Sequence, residues 1–240
     1  MNLLLTLIFL IQSAGLSTGK IESLKSDIKS FKSFLQEEHI EEVYTSFMEK
    51  DILDNLDSYL IHINDKKYYN RRAFEISKFV SKWGEIIREK YGDAIVDSMV
   101  INLRERRCYL YNTREFYNMN NWGYEDRMIL ETNVAIGNSA FGRGTIKGSF
   151  VIGRKVAEPR LHWENRKISI PYGHPFNAFG ARKLELWRDR KYTHYACHGT
   201  DDVNCIGKSI SLGCIRFTNV DILIIYELVK ENKTKVVIVE

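Results

Sequence analysis

Between Ile21 and Ile87 the apolar positions fall at helical spacing. Ile21, Leu24, Ile28, Phe31 and Leu35 step by three and four, which draws one stripe along a helix. A second stripe, Ile52, Leu56, Tyr59, Leu60 and Ile63, follows Asp51. A third takes in Ile76, Phe79, Val80, Trp83, Ile86 and Ile87 before Gly92, a natural helix stop. These stripes are expected to be the core faces of a small helical bundle. The first has coiled-coil spacing but covers too few heptads to define a dimer seam.

After Gly92 the pattern changes to short β-type runs. Met99 to Leu103 and Cys108 to Tyr111 flank the charged turn Arg104-Glu-Arg-Arg107, which reads as a hairpin. Further strands are predicted at Met128 to Ile136, Ser149 to Gly153, Lys167 to Ile170, Leu184 to Trp187 and Lys235 to Val239. Glycines gather between them, where loops must turn. One helix interrupts this region: Thr218 and Asp221 have capping-box spacing, and Ile222, Ile225, Leu228 and Val229 supply a buried face. The chain is therefore read as α+β. A helical region, residues 20–94, precedes a β-rich domain, residues 95–240.

Composition narrows the partners. Hydrophobic residues make up 44% and charged residues 28%, ordinary values for a folded chain. The net charge of +4 is too small and scattered to suggest nucleic acid, although it mildly favours an anionic or carboxylate-bearing substrate. Residues 1–19 carry no charge, and Leu3 to Ile11 form an apolar run broken only by Thr6. That run is shorter than the ~20 residues of a membrane span and matches a secretory signal, apart from the missing basic start. A retained anchor at the inner membrane, or a buried first helix, is the other reading. The protein is expected to be exported to the periplasm or cell envelope.

The four cysteines are Cys108, Cys197, Cys205 and Cys214. Export would permit disulfides, with Cys197 and Cys205 the local pair to expect. Zinc binding by Cys197, His198, Cys205 and Cys214 is a competing reading. It lacks any CxxC or HxxxH spacing, so no metal is expected.

The chemistry concentrates between Tyr195 and Arg216. Gly199 follows His198 and Gly213 precedes Cys214, so backbone can approach closely at both points. A thiolate is the reactive form of cysteine, and a neighbouring His and Arg would lower the thiol pKa toward neutrality. The amides of Gly213 and Cys214 are candidates for holding an oxyanion.

This segment resembles the catalytic motif of the L,D-transpeptidases, the YkuD-like family of cell-wall enzymes. The matching elements are His198-Gly199-Thr200 and Ser211-Leu212-Gly213-Cys214-Ile215-Arg216, with Ile206-Gly207-Lys208 between them. Similar segments extend over residues 97 to 240, among them Ala135-Ile-Gly137, Gly144 to Phe150 and Ile170-Pro-Tyr-Gly173. The resemblance implies a mixed β-sandwich with Cys214 as nucleophile, His198 as base and the Gly199 carbonyl orienting the imidazole. It also implies Arg216 as a partner for a donor carboxylate, and Ser211, Gly213 and Thr200 as pocket residues. The implied substrates are peptidoglycan stem peptides, cut at the L,D bond of a tetrapeptide with release of D-Ala, in a wall-building and cell-shaping role. No metal or organic cofactor is implied.

Two departures stand out. Leu212 occupies a position where many members carry a second histidine, and Thr145-Ile-Lys-Gly148 replaces the usual Pro-Thr-Gly pattern. The alternatives are an L,D-carboxypeptidase that uses water as acceptor, and a non-catalytic wall-binding module. His39, His62, His162, His174 and His194 are expected to be surface or packing residues. Arg182 is expected either to support the substrate loop or to form a stabilising ion pair.

Overall fold

The computed structural model describes residues 16–41, 71–92, 95–118, 121–163, 168–172 and 177–240. The apolar start, the second stripe, His62 and His174 lie outside them.

The first stripe forms helix α1 (Thr18–Glu37), in which Ile21, Leu24, Ile28, Phe31 and Leu35 are all buried. Ser17 caps it by accepting the Lys20 N–H. The third stripe forms α2 (Arg71–Tyr91) and ends where the Gly92 N–H returns to the Arg88 carbonyl, with Gly92 at φ 92°. The buried face of α2 differs from the expected one. Ile76, Val80 and Ile87 are buried, but Phe79 is 50% and Ile86 54% exposed. The reason is contact through small residues. Ser77 takes a hydrogen bond from Arg182 and Gly84 lets the Glu227 carboxylate pass, since a Cβ there would lie 2.2 Å from Glu227 Oε2. The face is rotated toward those two residues.

The strands are β1 (Ser98–Asn102), β2 (Arg107–Asn118), β3 (Asn121–Asn133), β4 (Ile136–Gly137), β5 (Gly148–Ala157), β6 (Leu161–Trp163), β7 (Ile168–Ile170), β8 (Arg182–Arg188), β9 (Lys191–His198), β10 (Ser209–Ser211), β11 (Ile215–Arg216) and β12 (Lys235–Val239). Eight of them form one mixed sheet in the order β11-β9-β8-β5-β12-β1-β2-β3. Its β1–β12 and β11–β9 pairs are parallel and the rest antiparallel. Short ladders join β10 to β4 and β6 to β7. The fold class is α+β, as expected, and the first hairpin turns at residues 103–106. Strands β6, β9, β10 and β11 have no counterpart in the pattern of apolar positions. The register shift in the β5–β8 pair passes Gly153, where a Cβ would sit 2.1 Å from the Trp187 ring.

Helix α3 (Asn219–Leu228) is buried on nearly every side and packs against α1, α2 and β8. One hydrophobic core runs through all of these elements. Leu24 and Val80 belong to the same cluster as Met99, Ile152 and Ile222, so residue 95 marks no break in packing. Polar ties reinforce the docking. The Asp221 carboxylate, 3% exposed, accepts from Lys32 Nζ (2.6 Å), Thr132 Oγ1 (2.7 Å) and Thr218 Oγ1 (2.7 Å). A buried carboxylate is tolerated because three donors replace its water. The Thr218 hydroxyl in turn caps α3 by accepting the Asp221 N–H. Among the described residues no helix is long and apolar enough to cross a membrane.

Candidate active site

The site is assembled at the edge of the sheet where β9 ends and β11 begins. The parallel register places Ile215 beside Cys197 and Arg216 beside His198. Side chains alternate across a strand, so Arg216 shares the face that carries His198, and the Cys214 sulfur is within hydrogen-bond reach of the Ala196 N–H on β9. Cys197 points the other way and is fully buried. Two loops hold this arrangement. The Gly199 N–H donates to the Arg182 carbonyl (3.1 Å), and the Phe217 N–H donates to the His198 carbonyl (2.8 Å).

His198 Nδ1 lies 2.6 Å from the Gly199 carbonyl oxygen. A carbonyl only accepts, so the proton sits on Nδ1 and a neutral ring leaves Nε2 with its lone pair free. Burial lowers the His198 pKa to about 3, with the charges of Arg216 and Lys183 acting in the same direction and the Gly199 bond opposing them. Phe179 packs edge-on against the ring, centroids 5.1 Å apart.

The thiol behaves differently from the sequence expectation. Burial pushes the Cys214 pKa above its ordinary value, and this outweighs the Ala196 N–H, Lys183 and Arg216, which favour the thiolate. At neutral pH the resting pair is therefore thiol and neutral imidazole, not thiolate and imidazolium. The cause is desolvation, a cost that spacing in sequence does not reveal.

The backbone around Cys214 is tightly held. The Ser211 hydroxyl donates to the Cys214 carbonyl and accepts the Gly213 N–H at 3.1 Å. The Gly213 amide is thus already occupied, and the expectation that it shares an oxyanion with Cys214 is corrected. Ser211 is 2% exposed and shapes the turn from within. Gly213 has φ 116°, and a Cβ there would lie 2.7 Å from the Tyr195 ring. Leu212 is 70% exposed at the tip of the turn.

Thr200 is fully enclosed. Its hydroxyl accepts the Asp202 N–H (3.1 Å) and it lies 3.7 Å from Cys205 Sγ, so it organises the loop that follows the histidine. Arg216 is half-buried, and its Nε is enclosed without a hydrogen-bond partner among the described residues. Neighbouring Asp201 has its pKa raised by burial, against the pull of the Arg216 charge.

All four cysteines are free, and the Cys197–Cys205 pairing that export would permit is not formed: Cys197 faces the core from β9 and Cys205 faces Thr200. Among the described residues no group of three or more His, Cys, Asp or Glu side chains converges as a metal site. His162 and His194 are exposed, and His39 occupies an exposed turn after α1. Among the described residues Arg182 forms no ion pair. Almost wholly buried, it donates to Ser77 Oγ (3.2 Å) and the Ala181 carbonyl (2.9 Å), while its own carbonyl carries the Gly199 bond.

Residues that motif reading missed complete the site. Lys183 pairs with His198 across β8 and β9, and its ammonium lies 3.2 Å from Glu185, which also accepts from Trp187 Nε1 (3.3 Å). Charged residues two apart on a strand, between buried Leu184 and Leu186, are the signal that could have drawn attention to them. Asn219 is the second omission. Fully buried, it accepts the Ala181 N–H (2.8 Å) and donates to the Thr200 carbonyl (2.7 Å), tying the loops before and after the histidine. Gly180 and Gly199 make room for it, since a Cβ on either would lie within 2.4 Å of Asn219 Oδ1. Asn219→Leu leaves two buried backbone groups unpaired at ~1–3 kcal/mol each, so a loss of about 2–6 kcal/mol is expected in urea unfolding. An unchanged midpoint would remove Asn219 from this role.

Residues 97–238 match the family model of YkuD, the L,D-transpeptidase catalytic domain. The chain belongs to that family. It is 32% identical over 144 residues to the YkuD protein of Bacillus licheniformis, covering 60% of this chain and 66% of that protein. With the YkuD protein of Bacillus subtilis it shares 38% identity over 66 residues, covering 28% of this chain and 35% of that one. The chain thus spans just under two thirds of the first relative and about a third of the second. Among solved structures, a cysteine-to-serine mutant of the Enterococcus faecium L,D-transpeptidase aligns over 62% of this chain and 52% of its own, at 14% identity and TM-score 0.43. An L,D-transpeptidase from Mycobacterium smegmatis aligns over 61% and 59%, at 14% identity and TM-score 0.41.

Proposed function

We propose that this chain is a peptidoglycan L,D-transpeptidase with Cys214 as nucleophile and His198 as general base. The observation that carries this reading is the Nδ1 bond from His198 to Gly199, which leaves Nε2 unprotonated and able to accept a proton, beside a cysteine turn that joins β9 through Arg216 and the Ala196 N–H. Family membership supports the reaction class.

In the proposed reaction the thiol gives its proton to His198 Nε2 as sulfur attacks the diaminoacyl carbonyl of a tetrapeptide stem. A C–S bond forms, the carbonyl electron pair moves to oxygen, and the Cys214 amide donates to that oxygen. Collapse restores the carbonyl and breaks the peptide bond. The imidazolium proton goes to the departing D-Ala amine. An acceptor amine then attacks the thioester and gives its proton to His198 Nε2; the C–S bond breaks as the new amide forms, and that proton returns to the Cys214 sulfur. Desolvation suits this sequence, because the thiol and the imidazole are both neutral at rest and neither buries a charge until substrate arrives. Lys183 and Arg216 favour the thiolate once it forms, and Arg216, with its unpartnered Nε, is suited to a donor carboxylate. Such a polymer lies outside the cytoplasm, which agrees with export guided by the uncharged apolar start.

The test is incubation of the purified chain with disaccharide-tetrapeptides, read by mass spectrometry. The expected result is free D-Ala, a thioester adduct on the protein and cross-linked dimers. Tripeptides without dimers would reassign the activity to an L,D-carboxypeptidase. Unchanged tetrapeptides in the presence of an acceptor amine would sink the reading.

A further inference from the structure

The Cys214 amide can act as the oxyanion donor only if the peptide between Gly213 and Cys214 keeps one orientation. Glycine does not enforce this by itself. With no Cβ, Gly213 rotates freely about ψ, and a flip of that peptide exchanges the directions of its carbonyl and its N–H. Something outside the turn must hold it.

The structure assigns that role to Thr145: we propose that its hydroxyl is the positioning group of the oxyanion site. Thr145 Oγ1 donates to the Gly213 carbonyl at 2.9 Å and accepts the Gly137 N–H at 2.8 Å. Thr145 is 9% exposed, so water does not readily substitute for it. Every described peptide bond is trans, so the Gly213 carbonyl and the Cys214 N–H point to opposite sides of one plane. Holding the carbonyl on Thr145 turns the Cys214 N–H away from Thr145. Ser211 fixes the two flanking groups, the Gly213 N–H and the Cys214 carbonyl. The Cys214 N–H is the one polar backbone group of residues 213–214 without a hydrogen bond among the described residues.

The framework for this contact is built over a long sequence distance. The β4–β10 ladder pairs Gly137 with Ser211, which brings the loop after β4 against the cysteine turn. An Asn138–Arg143 bridge closes that loop and returns the chain to Gly137. Gly137 has no room for a side chain, since a Cβ would lie 2.3 Å from the Arg143 carbonyl and 2.6 Å from the Thr145 amide. The hydroxyl is thereby pinned from one side before it bonds the other. A threonine here differs from a general buried polar contact in one respect: it both accepts and donates, and the group it donates to belongs to the peptide that must hold still.

This inference rests on the reading that Cys214 attacks a carbonyl, and the test separates the two. Two reagents are compared on the full chain. A carbapenem acylates the thiol through a tetrahedral oxyanion, whereas iodoacetamide alkylates it by displacement at a saturated carbon, with no oxyanion. Rates are read by intact mass for wild type, Thr145→Val, Thr145→Ala and Thr145→Ser. For Val, nearly the same shape without the donor, acylation should fall on the order of 10²-fold, the scale of losing an oxyanion donor. Alkylation should stay within about twofold of wild type, and Ser should restore most of the acylation rate. Ala, which removes the methyl groups that could crowd the site, should behave as Val does and decides the matter if Val does not fold. Acylation of Val and Ala at the wild-type rate would overturn the proposal alone. So would a parallel fall in acylation and alkylation, which marks a disturbed thiol and not a misplaced amide. A wild type that is alkylated but never acylated would overturn the parent reading, and this one with it.

Discussion

Cys214→Ala is expected to abolish release of D-Ala from tetrapeptide stems, with turnover falling by as much as about 10⁶, the scale on which removal of a nucleophile has been found to act. No other thiol can take its place. Cys108 and Cys197 are fully buried with pKa values pushed up by desolvation, and Cys205 is buried against Thr200. The variant should fold, because a methyl group is smaller than the thiol and Cys214 is only half-buried. Mass spectrometry of the stems after overnight incubation measures the effect. Turnover within about tenfold of wild type would exclude Cys214 as the attacking atom.

The same site makes a claim about resting charge. The sequence led to the expectation of a thiol activated in advance by a histidine and an arginine. In the structure both titrating groups are shielded from water, and shielding moves their pKa values apart: the thiol upward, the imidazole down to about 3. Proton transfer must then accompany attack. Two cations wait nearby, and Lys183, the stronger of the two in its pull on the thiol, was not evident from the motif.

Much of the fold was legible because burial follows period. The stripe of α1 is buried at each of its five positions, and β12 spans the residues predicted for it. The reading failed where polar or small residues make the contact. Ser77 and Gly84 turned α2 away from Phe79 and Ile86, and no apolar period encodes a helix that packs through a serine and a glycine. Strand β9 escaped notice because Lys191 to Tyr195 is polar or only partly covered, although Ala196, Cys197 and His198 at its end are buried. In the site, the side chains to which the chemistry is assigned stand in one compact motif, which is why they could be named from sequence. Thr145, Lys183 and Asn219 reach it from other strands and loops, so only the register of β4 with β10, the register of β8 with β9 and the start of α3 bring them there. The Gly213 amide was misread for a related reason: its partner, Ser211, sits two residues away in the same motif, and sequence does not say that the hydroxyl turns inward.

His198→Asn tests the base and its buried state together. Asparagine's amide can take over the bond to the Gly199 carbonyl while leaving nothing to accept the thiol proton, so turnover should fall by about 10²–10⁴. Stability should move in the opposite sense at low pH. In the unfolded chain the imidazole titrates at its ordinary value of 6.5, whereas burial holds the folded value at about 3. Between these limits the unfolded state binds a proton that the folded state does not. Wild-type stability is therefore reduced as pH falls through 6.5, by up to about 1.4 kcal/mol per pH unit from this group. The variant has no such proton to gain. Urea unfolding of both proteins at pH 7.5 and 5 isolates the difference, because every other titrating group is common to them. The gap between wild type and variant should shift in favour of the variant at pH 5. A gap independent of pH would mean that the imidazole titrates alike in both states, and the neutral base assigned to the resting site would be lost with it.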